Sequence, residues 1–209
     1  AGYLAIPMQI THYRVHPYKD IQEAWTQDFD HRVAAVAAGL GELGLHGEVI
    51  THAYGTRQKF IAVVTDAPLP ADPMYSGPAL CDNCRACIKA CCMKALDADG
   101  CRKVEIGART FAVARKDIWR CLWSKKFMLN AEAGPKLSGM SVTIDPPAGP
   151  ITEADVQKAQ AEKGRRGGMQ TWYMYADRGC ERQCIPPHLR GRKPLLEEQQ
   201  EKAAALGRA

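Results

Sequence analysis

The chain of 209 residues contains no run of about 18 consecutive apolar residues, so we predict that no segment spans a membrane. It also has no charged segment followed by an apolar one near Ala1, so no signal peptide is identified. Charge of one sign is not in large excess, because the net charge is only +5. This modest value predicts a basic face and argues against a dedicated nucleic-acid-binding protein. The hydrophobic fraction of 46% is sufficient for one mid-sized domain, or two small ones, with a packed core.

Cysteine, by contrast, is abundant and unevenly distributed. Nine cysteines are present, which is an odd number, and five of them lie within residues 81–92. A secreted disulfide scaffold would be shorter and would space its cysteines along the whole chain. We therefore interpret the crowded cysteines as thiolate ligands of a protein in a reducing compartment.

Hydrophobic patterning predicts a mixture of helices and strands, that is, an α+β fold. Capping residues followed by apolar stripes predict helices that begin at Asp28 or Asp30 and after Thr152, where Thr152 and Asp155 form a capping-box pattern. Runs of Val, Ile and Phe predict the strands. The remaining predictions are a buried strand within 3–10, strands within 48–55 and 58–69, a short helix and turn over 93–101, and a strand followed by a helix over 109–129.

The densest cysteine group has the spacing C-x2-C-x2-C-x3-C, formed by Cys81, Cys84, Cys87 and Cys91. Three thiolates on one tight loop can each bind a different iron of a four-iron cluster, and the fourth reaches the second cluster in two-cluster ferredoxins. Zinc is the main alternative, but zinc sites usually take their thiolates from two separated pairs. The spacing therefore favours iron–sulfur clusters. The proline that normally follows this run is replaced by Cys92.

A second, shorter group reads CERQCIPP over 180–187 and resembles the end of another cluster motif. The position of its missing first cysteine is Asp177. Two [4Fe–4S] clusters need eight ligands, and spacing assigns seven of them. Cluster one takes Cys81, Cys84, Cys87 and Cys184, and cluster two takes Cys91, Cys121 and Cys180. The eighth ligand stays open among Cys92, Cys101 and Asp177, and an unligated buried thiol is an equal alternative for each of the two cysteines.

The stretch HRVAAVAAGLGELGLHGEVITHAYGTRQKFIAVVTDAPLPADP, followed by CDNCRACIKAC, resembles the reductive dehalogenase and epoxyqueuosine reductase superfamily. Asp117, Cys121 and Trp123 match an element that precedes the last cysteines in the dehalogenases. The resemblance covers 28–125 well and 177–187 in part.

The resemblance implies a cobalamin- and [4Fe–4S]-dependent oxidoreductase, in which two clusters feed electrons to a base-off cobalamin. The implied fold is the C-terminal part of a nitroreductase-like α/β corrinoid-binding domain, followed by a bacterial-type two-cluster ferredoxin-like module. The implied domains are the partial corrinoid-binding domain at 1–76, the iron–sulfur module at 77–130 and 171–190, an insertion at 131–170 and a helical tail at 191–209.

Corrinoid contacts are also implied by position. They are Gly39, Leu40, Gly41, Gly44, Thr51, Tyr54 and Gly55, because glycine lets backbone approach a flat macrocycle. The alternative is that these glycines cap a helix and form a turn. The catalytic residue is unknown, since the acidic position of the epoxyqueuosine reductases corresponds to Trp25. Weak candidates for a proton donor are Tyr13, Tyr18, His31 and Tyr54, for each of which ordinary packing is the simpler explanation.

Two functions follow from these patterns. The first is an enzyme that delivers electrons to a corrinoid for reductive chemistry, with a second subunit or a homodimer partner completing the corrinoid pocket. The second is a ferredoxin-like electron-transfer subunit of a larger complex without its own corrinoid. Both predict a redox partner, such as a ferredoxin, a flavodoxin or a reductase domain. We expect a cytoplasmic protein, or an exported or membrane-associated one if an N-terminal signal has been removed. The resemblance implies a twin-arginine signal in that case, because respiratory dehalogenases carry one.

Overall fold

The computed structural model describes residues 2–8, 30–128, 143–165 and 179–191. These ranges combine short helices with three small antiparallel sheets, which confirms the α+β class. Of the helices in these ranges, none is long and apolar enough to cross a membrane. The helices are α1 (His31–Ala37), α2 (Ala86–Lys89), α3 (Ile118–Phe127), α4 (Glu153–Arg165) and α5 (Gly179–Arg182), with a 3-10 turn at Pro187–Leu189.

The strands form three two-stranded antiparallel sheets. They are β1 (Ala5–Pro7) with β4 (Val63–Thr65), β2 (Glu42–Leu43) with β3 (Val49–Ile50), and β5 (Leu96–Ile106) with β6 (Arg109–Lys116). The strand predicted within 3–10 is present as β1, but the prediction that it is buried is wrong, because all three of its residues are exposed.

Helix α1 begins and ends for local reasons. The Asp30 carboxylate accepts the backbone N–H of Arg32 at 2.9 Å, which caps the first turn. At the other end Gly39 has a φ of 76°, and the N–H of Leu40 donates to the carbonyl of Ala35 at 3.0 Å. A left-handed glycine in this position closes a helix. Of the two predicted caps Asp30 is therefore the one the structure uses.

The β5–β6 hairpin corrects one prediction. We expected a short helix and turn over 93–101, but β5 begins at Leu96, which pairs with Lys116. The register then shifts before Cys101 pairs with Ala114. Asp97 accepts the N–H of Asp99 at 2.9 Å within this irregular step, so turn residues are built into the strand.

The largest apolar cluster joins α3 to α4. Phe127 and Trp123 meet edge to face, with ring centroids 4.9 Å apart. The Trp123 indole N–H donates to the carbonyl of Ile144 at 2.8 Å. The predicted capping box is confirmed, since Thr152 N–H donates to Asp155 at 2.9 Å and Asp155 N–H donates to the Thr152 hydroxyl at 3.3 Å. This cluster supports α3, the helix that carries Cys121.

A smaller apolar cluster lies where the hairpin meets the cysteines. Cys87 and Cys180 are buried in it, each on a different short helix, and Leu96 and Ala114 contribute from the hairpin. Cys81 packs against its side. The hairpin therefore forms a base on which both cysteine groups are brought together.

Glu42 anchors the start of the cysteine loop by a hydrogen bond. The residue is only 5% exposed, and its carboxylate accepts the N–H of Leu80 at 2.8 Å and pairs with the Arg109 guanidinium. Leu80 directly precedes Cys81 and is itself buried.

We expect Glu42→Ala to lower the free energy of unfolding by about 2–3 kcal/mol, because it leaves a buried N–H and a cation without their acceptor. Urea unfolding measures the change. Glu105→Ala is the matched control, since Glu105 is exposed on β5 and we expect less than about 0.5 kcal/mol there. Equal effects of the two substitutions would contradict the assigned role of Glu42.

Candidate functional site

The loop that carries the first cysteine group has an unusual backbone. Asn83 and Arg85 are both left-handed, with φ of 58° each, on either side of Cys84. The N–H of Cys84, which lies between them, donates to the Asp82 carboxylate at 3.3 Å. The short helix α2 then begins at Ala86, and Cys87 lies on it.

Four cysteines line one pocket at this loop. They are Cys81, Cys84 and Cys87 from the first group and Cys184 from the second. These are the four residues that spacing assigns to cluster one. The four cysteines differ in burial. Cys87 is buried, Cys81 and Cys184 are half-buried, and Cys84 is exposed.

The thiols of the pocket interact electrostatically. Burial, with smaller contributions from Cys81 and Cys84, raises the pKa of Cys87 to about 11. Burial, followed by the thiols of Cys81, Cys87, Cys84 and Cys180, raises the pKa of Cys184 to about 12. Cys87 and Cys184 are therefore disfavoured as thiolates on their own, whereas a bound metal would stabilise the thiolate form.

The second cysteine group is held in place by the turn at 51–57. The Thr56 hydroxyl donates to the carbonyl of Glu181 at 2.7 Å. A ring nitrogen of His188 lies 2.7 Å from the carbonyl of His52, and the two imidazole rings stack with centroids 4.1 Å apart. These contacts join segments that are more than 120 residues apart, so sequence spacing gave no signal for them.

An arginine closes the pocket on its exposed side. Arg190 pairs with Asp82, with Nη2 2.8 Å from Oδ1, and the same Nη2 lies 3.3 Å from the sulfur of Cys84. Hydrogen bonding from Arg190 lowers the pKa of Asp82 to about 2, so this ion pair stays charged at neutral pH. Sequence reasoning missed both residues.

The residues assigned to cluster two lie on three different elements. Cys91 follows α2, packs against the α3–α4 cluster and accepts the N–H of Ala95 at 3.2 Å. Cys121 is buried on α3, and Cys180 is buried on α5. Across the described residues, no group of three or more His, Cys, Asp or Glu side chains is arranged to hold a metal ion. Both cluster assignments therefore stay predictions.

The candidates for the eighth ligand differ in position. Cys92 is exposed and directly follows Cys91, whereas Cys101 is exposed on β5 opposite Ala114. Neither thiol is buried, so the alternative of a buried bystander is wrong for both. Asp177 lies outside the described residues.

Three of the glycines that the resemblance implies in corrinoid binding pack closely against other residues of the chain. A Cβ added at Gly39 would lie 2.2 Å from the carbonyl oxygen of Pro73, and one at Gly41 would lie 2.1 Å from that of Ile50. At Gly44 the nearest atom would be Cδ1 of Ile50, at 2.6 Å. Gly39 closes α1, so for this residue the structure agrees with the alternative, in which the glycines cap a helix and form a turn.

The other implied contact residues form a turn. Thr51 is buried, and its hydroxyl accepts the N–H of Tyr54 at 3.2 Å. The backbone N–H of Gly55 donates to the carbonyl of Thr51 at 3.0 Å and closes the turn. Leu40 and Tyr54 are exposed. Of the proton-donor candidates, His31 is half-buried at the start of α1, while Tyr13 and Tyr18, like Trp25, lie outside the described residues.

We expect Gly41→Ala to lower the free energy of unfolding by about 1–3 kcal/mol, because the added methyl group would overlap the Ile50 carbonyl. The midpoint of thermal unfolding reports the change. Gly149→Ala is the matched control, since no heavy atom lies within 4 Å of a Cβ there. If Gly41→Ala were as stable as the control, the space beside Gly41 would be open to a ligand instead.

Comparisons with known proteins assign no family. No family model matches the chain, no curated protein is significantly similar to it, and no solved structure matches its fold.

Proposed function

We propose that the chain is an iron–sulfur redox protein that holds two [4Fe–4S] clusters and delivers electrons to a corrinoid for reductive chemistry. The observation that carries the proposal is the pocket that Cys184 shares with Cys81, Cys84 and Cys87. Cysteines from two distant motifs converge there, as the ligand spacing of two-cluster ferredoxins requires.

Two features of the pocket support an iron–sulfur cluster. All four cysteines that line it offer thiol ligands, and buried apolar residues form its inner wall. Leu80 and Leu45 supply that wall. A bound cluster would supply one-electron transfer.

Cluster two would be held by Cys91, Cys121, Cys180 and one further ligand. The N–H of Ala95 donates to the Cys91 sulfur, which is the kind of contact that adjusts the potential of a cluster. Cys91 borders the core that supports α3, and Cys121 is on α3 itself, so a cluster there would be enclosed by packed side chains.

The corrinoid part of the proposal rests on the resemblance. At Gly39, Gly41 and Gly44 protein atoms already occupy the space in which a Cβ would lie, so these three glycines do not offer open backbone to a macrocycle. This observation favours the second candidate, an electron-transfer subunit without its own corrinoid that docks on a partner protein.

Cobalt content separates the two candidates. The protein would be purified anaerobically, incubated with hydroxocobalamin and passed through a desalting column before metal analysis. Retained cobalt with a corrinoid spectrum supports the corrinoid-binding reductase. Iron and sulfide without cobalt support the electron-transfer subunit, whereas turnover of a halogenated or epoxide substrate by the isolated chain would rule that candidate out.

Cys92 is the residue that we expect to complete cluster two, because it adjoins Cys91 whereas Cys101 lies out on the hairpin. Cys92→Ala should therefore lower the iron content by about four atoms per chain. Cys101→Ala is the matched control and should retain all of its iron. Full iron in both variants would instead indicate Asp177, which Asp177→Ala would test.

A further inference from the structure

Arg190 is an exposed residue that is nonetheless held in one position. Its Nε donates to the carbonyl of Ile185 at 3.0 Å, and its two terminal nitrogens pair with the two carboxylate oxygens of Asp82. Asp82 also accepts the backbone N–H of Cys84, at 3.3 Å. All three nitrogens of the planar guanidinium therefore have hydrogen-bond acceptors that fix its orientation.

The remaining contact of this guanidinium is to sulfur. Nη2 lies 3.3 Å from Sγ of Cys84, although the two residues are 106 positions apart in the chain. An exposed ion pair such as Arg190–Asp82 ordinarily contributes little to stability. Stability alone therefore does not explain why the cation is directed at the most exposed thiol of the pocket.

Hydrogen bonds to cysteine sulfur and nearby positive charge both affect the reduction potential of a cluster. An added electron increases the negative charge on the cluster and its sulfurs. A positively charged N–H donor therefore stabilises the reduced form more than the oxidised form, and the potential rises.

We propose that Arg190, oriented by Asp82, donates to the Cys84 sulfur and raises the reduction potential of cluster one. The inference rests on the proposed function, because it requires a cluster on Cys81, Cys84, Cys87 and Cys184. A raised potential makes cluster one easier to reduce than it would be without Arg190. Since Cys84 is exposed, this is also the edge that a donor protein can approach.

A purely structural role for Arg190 gives the opposite sign. If Arg190 only tied residues 82–84 to 185–190, its removal would open the pocket to water. Water stabilises the more highly charged reduced cluster, so the potential would then rise. Loss of a positively charged donor lowers it, and the direction of the shift distinguishes the two roles.

The test is an anaerobic redox titration of the cluster-containing protein, followed by electron paramagnetic resonance. Arg190→Gln should shift the potential of one cluster to more negative values and leave the other unchanged. Arg190→Lys keeps the charge but loses the planar fork, so its shift should be smaller and in the same direction. Arg102→Gln, which removes an exposed charge from β5, is the matched control and should shift neither cluster.

The outcomes separate this inference from the proposed function. Arg190→Gln with full iron and an unchanged or higher potential would overturn the inference alone. Absence of iron and sulfide from the wild type would overturn both. If Arg190→Gln lost iron, Arg190→Lys would decide, because a potential equal to that of the wild type in that variant would also overturn the inference.

Discussion

Replacement of Cys184 by alanine is expected to lower the iron content of the anaerobically purified protein by about four atoms per chain. Cys184 is the one cysteine of the second motif that lines the pocket with Cys81, Cys84 and Cys87. Removing one of four ligands leaves an incomplete set, and a four-iron cluster is not expected to survive purification on three thiolates. Iron and acid-labile sulfide are measured together.

The choice of Cys184 makes this result informative. Loss of iron after a change in the first motif would be expected of any cysteine-rich loop, whereas Cys184 tests whether the two motifs share a cluster. Cys101→Ala is the control, because Cys101 is exposed on β5. Full iron in Cys184→Ala, with a visible spectrum like that of the wild type, would contradict the assignment of cluster one.

Phe127→Ala is expected to lower the free energy of unfolding by about 3–5 kcal/mol, the largest effect on stability that we predict. Phe127 is 0% exposed, and its ring meets Trp123 edge to face in the α3–α4 cluster. The substitution leaves a cavity that the surrounding helices fill only in part. Denaturant unfolding of the metal-free protein measures the change without a contribution from bound iron.

The control for this prediction is Leu69→Ala, since Leu69 is 72% exposed and should change stability by less than about 0.5 kcal/mol. Phe127→Leu should cost less than Phe127→Ala, because it retains most of the apolar volume. A cost for Phe127→Ala below about 1 kcal/mol would mean that α3 does not depend on this cluster.

Elements set by neighbouring residues were predictable from the sequence. The Asp30 cap of α1, the capping box of Thr152 and Asp155, and the strand followed by a helix over 109–129 each depend on residues a few positions apart. The hairpin strand β5 was missed because its first part carries turn residues, Asp97 to Gly100, and its pairing is supplied by β6. Tertiary pairing there outweighs the local preference.

Part of the candidate site was likewise predictable from the sequence, and part was not. Ligand spacing alone predicted the set Cys81, Cys84, Cys87 and Cys184, and the structure places these four around one pocket. The Arg190–Asp82 pair was not predictable, because its two partners are 108 residues apart and neither belongs to a motif. For the implied corrinoid contacts the sequence suggested a role that packing explains more simply, since the glycines at 39–44 have close protein neighbours.

The most direct test of the account is the metal and sulfide content of the anaerobically purified wild type, measured together with its visible spectrum. A chain that holds two [4Fe–4S] clusters is expected to contain about eight irons and eight sulfides and little zinc, and to show a broad absorption that dithionite bleaches. One zinc per chain with no sulfide, or a colourless protein without metal after anaerobic reconstitution with iron and sulfide, would contradict it.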